Sequence, residues 1–161
     1  MNFIMENIEI KRFEKITEDL VDLLKLLNAD MNTNSPLRIK FDEDCFHDLQ
    51  AMSDSFIAYH EEKPVGCSIL VNKCKEIGII TDIYVAPEYR RHRLCYRFFE
   101  AVEEQAKIRG HIMLISDTWN ELAPMQKAFQ NGGFTEYKVV PVNDWEREYY
   151  PAGHNYWKML V

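Results

Sequence analysis

Five side chains that carry or can acquire positive charge fall within eight positions: Arg90, Arg91, His92, Arg93 and Arg97. They follow a β-branched and aromatic run, Ile77 to Val85, and a turn, Ala86-Pro87-Glu88-Tyr89. They open a helical pattern in which Leu94, Phe98, Ala101, Val102, Gln105 and Ala106 share a face. A helix N-terminus already presents unpaired N–H groups and the positive end of the helix dipole, so extra cations there are unfavourable unless an anion also binds. Phosphates bind such ends well. The arrangement reads as a pyrophosphate site; the competing reading is a solvated basic turn that neutralises nearby carboxylates.

The surrounding chain makes this cluster an anomaly. The sequence has 161 residues and a net charge of −7, with 47% hydrophobic and 28% charged residues. That composition suits one globular domain and is wrong for a disordered chain. An acidic chain is a poor general binder of nucleic acid, where affinity rests on neutralising many phosphates, and one short basic loop offers too few contacts. The apolar runs fall far short of the roughly 20 residues that cross a bilayer, and Met1 to Lys11 shows no signal-peptide core. The four cysteines, Cys45, Cys67, Cys74 and Cys95, form no Cys-x-x-Cys pair. His47, His60, His111 and His154 have no ligand spacing with them or with one another. The expectation is a single soluble domain over residues 1–161, with reduced thiols, cytoplasmic, without metal, membrane or nucleic-acid partners.

The elements that must position the basic loop follow from periodicity. Ile8 to Phe13 alternates as a strand, and Ile16, Leu20, Leu23, Leu24 and Leu27 form one helical stripe. Asn28 to Pro36 reads as loop, and Phe41 to Met52 as a second helix. Ser55–Tyr59 and Val65–Asn72 read as a hairpin, Ile77–Val85 as a central strand, and Arg90 onward as a helix stopped by Gly110. Ile112–Ser116 is a strand, and Met125–Asn131 a helix closed by Gly132-Gly133. Phe134–Val142 and Tyr156–Val161 are final strands. The order β-α-α-β-β-β-α-β-α-β-β predicts an α/β fold, one mixed sheet with helices on both faces.

The stretch Thr81 to Gly110 resembles the central motif of the GNAT superfamily of N-acetyltransferases. In that family the fourth strand is followed by a turn, an Arg/Gln-x-x-Gly-x-Gly/Ala loop and a helix. Trp119-Asn120-Glu121, Pro124 to Lys127 and the closing Gly133-Phe134 match a second family segment, and the hairpin Phe56 to Leu70 extends the likeness over nearly the whole chain. The resemblance implies a mostly antiparallel sheet and direct acetyl transfer from acetyl-CoA, as co-substrate, to a primary amine on a small molecule or an amino terminus. It places backbone near Tyr84 and Val85 on the pantetheine and thioester. It places Arg90, Arg91, His92, Arg93, Leu94, Cys95 and Tyr96 around the pyrophosphate, with Asn120 and Lys127 as further cofactor contacts. It also implies a homodimer.

Two departures stand out. Arg93 and Cys95, and commonly Arg91, replace family glycines that let backbone approach phosphate. Phe129 stands where many members carry the tyrosine that protonates the leaving thiolate, leaving Tyr96, Tyr137 and Cys95 as substitutes, or solvent, since a CoA thiolate is a tolerable leaving group near neutral pH. Asp82 is the first candidate for general base, by partial similarity of Thr81-Asp82 to the Glu-Asp pair of diamine acetyltransferases. Asp117 is the second. Their plain alternatives are an ion pair for Asp82 and a turn or helix cap for Asp117; for Asn120 it is a cap, and for Lys127 a solvated helix face. The aromatics Trp145, Tyr149, Tyr150, Tyr156 and Trp157 read as core, acceptor pocket or dimer contact. The absent glycines and Phe129 also admit a second class of function, a binding module that kept the fold and lost the cofactor.

Overall fold

A computed structural model describes residues 6–34, 53–119, 123–137 and 153–160. The alternating segment Ile8–Phe13 forms strand β1. Helix α1, Glu18–Asn34, starts where the Thr17 hydroxyl accepts the Leu20 N–H, with Glu18 and Asp19 complementing the dipole of the first turn. The Asn-rich stretch from Asn28 therefore continues a helix instead of forming the expected loop. A tertiary contact contributes to it: Asp30 on the last turns pairs with Arg90 at 3.0 Å.

Strands β2, Ser53–His60, and β3, Lys63–Asn72, form the hairpin, closed by Glu61 and Glu62 with φ of 48° and 68°. Two left-handed residues in a two-residue turn match the twist of the paired strands. Strand β4 is Ile77–Val85, a 3₁₀ turn covers Pro87–Tyr89, and helix α2 is Leu94–Ile108. Gly110, at φ 86°, closes α2 as the stop signal predicts. Then come β5 (Met113–Trp119), α3 (Ala123–Asn131), β6 (Thr135–Tyr137) and β7 (Gly153–Met159). The expected helix over 41–52, and Trp145, Tyr149 and Tyr150, lie outside the described residues.

The seven described strands form one sheet in the order β1-β2-β3-β4-β5-β7-β6. Every pairing is antiparallel except β4 with β5. The period of two divides the buried side chains between two faces. Leu20, Leu23 and Leu24 of α1 pack against Ile57, Cys67, Ile69 and Tyr84. On the other face Phe98, Phe99 and Val102 of α2 and Phe129 of α3 meet Ile80, Leu114 and Tyr156. Gly66 lets α2 lie close: a Cβ there would meet the Tyr84 carbonyl at 2.8 Å and Phe98 at 3.3 Å.

At the sheet end away from the basic loop, the fully buried Asp54 ties three elements together. It accepts hydrogen bonds from Arg12 of β1 (2.9 Å), from Asn72 of β3 (3.3 Å), and from Arg109 after α2 through two nitrogens (3.1 and 2.9 Å). Burial alone would raise the Asp54 carboxyl; the bonds from Arg109, Asn72 and Arg12 outweigh it and hold the group below its ordinary 3.8. A depressed carboxyl contributes stability that is present above its unfolded value and lost as pH falls through the folded one. We predict that Asp54→Asn lowers stability by about 2 kcal/mol at neutral pH. Urea denaturation should also show that the variant loses part of the wild-type decline below pH 4.

Candidate active site

The parallel ladder between β4 and β5 is short. It pairs Ile77, Gly78 and Ile79 with Met113, Leu114 and Ile115, and then the strands run on unpaired to each other. The cause lies in β4. Cys67 pairs with Tyr84 and Ile69 with Thr81, so two steps along β3 span three along β4. The extra residue makes a bulge, with Asp82 in the left-handed region at φ 51°. A bulge bends and twists its strand, here on the strand that must otherwise keep pairing with β5. The Ser116 hydroxyl donates to the Ile80 carbonyl at 2.7 Å, a last bridge across the opening. Beyond it, residues 81–85 of β4 have no strand on that side among the described residues.

The bulge also sets the carboxylates. Burial pushes Asp82 up to about 6; the Asp117 charge, from β5 across the opening, acts in the same direction, and the Thr81 hydroxyl, 3.3 Å away, opposes it. Asp117 lies more open, and partial removal from water raises it too. A carboxyl held near 6 is poised to accept a proton at neutral pH. Burial raises Cys67, on the same face, so it stays a thiol, and its Sγ lies 3.5 Å from the Asp82 carbonyl.

The chain leaves β4 through Pro87–Tyr89 and reaches α2 through two further left-handed residues, Arg91 and Arg93, both at φ 63°. These are two of the positions where glycine was expected, and the backbone adopts there the conformation that glycine takes freely. A non-glycine residue in that region costs roughly 1–2 kcal/mol. The result is a concave run of donors: among the described residues no backbone acceptor takes the N–H of Arg91, Arg93, Leu94 or Cys95.

The side chains divide the work. Arg90 donates from Nε to the Val85 carbonyl at 2.8 Å, from Nη2 to Asp30 at 3.0 Å, and lies over the Tyr84 ring. It therefore braces the end of β4. Tyr89 is anchored by the His60 ring, 2.9 Å from its hydroxyl. Arg91 is exposed, His92 half-buried, and Arg93 lies over the Tyr96 ring with its guanidinium carbon 5.4 Å from the centroid. Arg93 and Tyr96 border a groove of about 410 Å³ between α2 and the end of α3, where Lys158 pairs with Glu103 at 2.6 Å. The Tyr96 hydroxyl accepts from Asn131 at 3.3 Å. Leu94 is buried, and Cys95 packs on the core, its thiol raised to about 12 by burial. Lys127 is exposed on α3, and Asn120 lies outside the described residues.

Phe129 sits 1% exposed in an aromatic stack with Phe99, Phe134 and Tyr156. Tyr137 is exposed on β6. Among the described residues no group of three His, Cys, Asp or Glu is placed to hold a metal ion, and no helix is long and apolar enough to cross a membrane.

The model of the acetyltransferase (GNAT) family matches residues 20–134, which include the bulge, the loop, α2 and α3. The chain belongs to that family. It is an N-acetyltransferase by family membership. No significant match is found among curated proteins. The fold is shared with many solved structures. An acetyltransferase of Streptococcus agalactiae superposes with a TM-score of 0.76 at 22% identity, covering 96% of this chain and 99% of that one. A GNAT acetyltransferase of Elizabethkingia anophelis with acetyl-CoA bound gives 0.72 at 18%, covering 96% and 99%. N-acetylglutamate synthase of Neisseria gonorrhoeae, complexed with coenzyme A and N-acetyl-glutamate, gives 0.72 at 15%, covering 95% of this chain and 35% of that one.

Two predictions follow from the strained loop and the buried carboxylate. Arg91→Gly should stabilise the protein by about 1 kcal/mol, a rise of roughly 2–4 °C in Tm. Arg93→Gly should gain less, because it gives up the contact with Tyr96. Asp82→Asn should raise Tm above pH 6, since a carboxyl raised on folding penalises the folded state as pH climbs from 3.8 through 6. Calorimetric scans at pH 5 and pH 8 check the sign.

Proposed function

We propose that this acetyltransferase moves the acetyl group of acetyl-CoA to a primary amine, on a small molecule or an amino terminus, by direct attack in a ternary complex. One observation carries the reading: the unpaired edge of β4 leads straight into a run of unsatisfied N–H donors at the start of α2. An extended arm with amide groups suits the first, and a pyrophosphate suits the second. Backbone at Tyr84 and Val85 would hold the arm. The N–H groups of Arg91, Arg93, Leu94 and Cys95 would hold the phosphates, with the Arg91 and Arg93 guanidiniums adding charge-assisted bonds. The arginines keep every donor that glycines would supply, which favours retained binding over a fold that has lost its cofactor. Asn120 and Lys127 complete the cofactor contacts in this reading, and Tyr96 borders them.

Asp82 is the general base. It takes the proton of the incoming ammonium, directly or through water, and Asp117 supports a cationic acceptor beside it. The amine nitrogen then attacks the thioester carbonyl, and N–H donors at the β4 edge stabilise the developing oxyanion. The net charge of −7 attracts a cationic acceptor from a distance and disfavours nucleic acid. A cytoplasmic homodimer completes the reading, the dimer by family likeness.

Thermal unfolding with acetyl-CoA, coenzyme A and ATP tests the cofactor. At about 100 times its dissociation constant a ligand adds roughly 2.7 kcal/mol, several degrees for a chain of this size. A shift with both CoA forms above that with ATP is expected, and Arg91→Ala with Arg93→Ala should weaken binding about tenfold. No shift at millimolar acetyl-CoA sinks the proposal. In turnover with a primary amine that the enzyme accepts, the wild-type rate should fall as pH drops through about 6, where Asp82 becomes protonated. Asp82→Asn should lower kcat on the order of 10²–10⁴-fold and remove that acid limb.

A further inference from the structure

The two faces of the sheet are filled differently around the opening. Leu114 and Tyr156 lie in the core under α2 and α3, so their chain neighbours Ile115 and Trp157 point to the other face, the one that carries α1. On that face one row runs unbroken across three strands: Ile79 of β4 pairs with Ile115 of β5, and Ile115 with Trp157 of β7. The row behind it repeats the chemistry with Ile77, Met113 and Met159. All six side chains keep some exposure, Met159 as much as 43%, and among the described residues none belongs to either core. The α1 leucines meet β2, β3 and the loop end of β4 at Tyr84 instead.

One row toward the opening the chemistry changes. Asp117 pairs across to Asn155, and Asn155 to Tyr137 of β6, all on the same face as the apolar rows. Asp82 stands on the β4 side of the gap, close enough to Asp117 to feel its charge. The transfer site therefore borders a polar row that lies about 7 Å, two residues along a strand, from an apolar one. No carboxylate stands in the two apolar rows. Glu136 of β6 lies directly across from Tyr156, hence on the opposite face, where it pairs with His154.

We infer that the acceptor is a small primary monoamine with an apolar body, aryl or alkyl, whose ammonium lies between Asp82 and Asp117 while its body covers Ile115 and Trp157. The inference rests on the acetyl-CoA reading above and narrows its acceptor. Two or three carbons between nitrogen and body span the step between the rows, and covering the face removes apolar surface of both partners from water. An aromatic body adds a ring contact with Trp157. A diamine fits worse, because its second ammonium would lose water over the apolar rows with no carboxylate there to meet it. Long-range charge acts the opposite way, since a chain at −7 attracts a dication more strongly, so the ranking of the two classes reports on the face itself. In the transfer the C–N bond forms as the C–S bond breaks, and the electron pair leaves with sulfur. The ammonium gives up one proton before attack and a second as the amide forms; coenzyme A thiol keeps one and the other goes to solvent.

The test follows release of coenzyme A thiol from acetyl-CoA with 2-phenylethylamine, hexylamine, 1,4-diaminobutane and ethylamine, with binding of acetyl-CoA measured separately by calorimetry. The first two amines should exceed 1,4-diaminobutane in kcat/KM by about tenfold or more. Trp157→Ala should lower kcat/KM for 2-phenylethylamine about tenfold, chiefly through KM. Its effect on ethylamine, which has no body to lay on the face, should be much smaller. A preference for 1,4-diaminobutane overturns the assignment, and so does an equal loss with every amine in a folded Trp157→Ala. The wild-type ranking decides alone should that variant not fold. Binding of acetyl-CoA with turnover of none of the four amines overturns the assignment and leaves the cofactor reading standing. If acetyl-CoA does not bind, the cofactor reading itself has failed and this assignment falls with it.

Discussion

One extra residue in β4 governs the geometry of the whole cofactor side of this protein. A parallel pair that kept its register would satisfy the backbone groups of β4 with those of β5 and leave nothing to bind with. The bulge at Asp82 ends that pairing after Ile79 and frees an edge inside the sheet, where a free edge is otherwise confined to the rim. The same residue in the same left-handed conformation carries the carboxyl with the strongest claim to act as a base. Strain, open backbone and a raised carboxyl coincide at one position. That coincidence is characteristic of functional sites and expensive for stability.

The loop repeats the pattern a few residues on. Arg91 and Arg93 occupy left-handed positions at which glycine would be relaxed, and they do so at a helix terminus where positive charge is repelled. Both penalties act in the protein without ligand, and an anion at this terminus would offset the second. Glycine gives a cradle little strain and no charge; arginine gives a strained cradle with charge built in. Arg90 stands apart from this work. Its bonds to Val85 and Asp30 fasten the end of β4 to α1, so the opening has a fixed far wall.

Most of the fold was legible because it rests on local pattern. The alternation of Ile8–Phe13, the stripe of Leu20, Leu23 and Leu24, the stop at Gly110 and the basic opening of α2 all stand where periodicity and caps place them. The extent of α1 was not legible: Asn28 to Asn34 has a loop composition, and its helix is held in part by the ion pair of Asp30 with an arginine sixty residues away. The ion cluster around Asp54 was equally hidden, since Arg12, Asn72 and Arg109 come from three separate segments.

The sequence by itself determined the identity and order of the described elements, the basic loop, and the absence of an acidic proton at Phe129, because each is a property of residues adjacent in the chain or spaced by one helical turn. Tertiary structure decided the rest. It placed the bulge, which depends on the register of β4 against β3, and it brought Asp82 and Asp117 to one opening from two strands. It also laid Tyr156 against Phe129 from a strand 27 positions further along. Such contacts join residues far apart in the sequence, and only the packing of strands and helices fixes which of them meet.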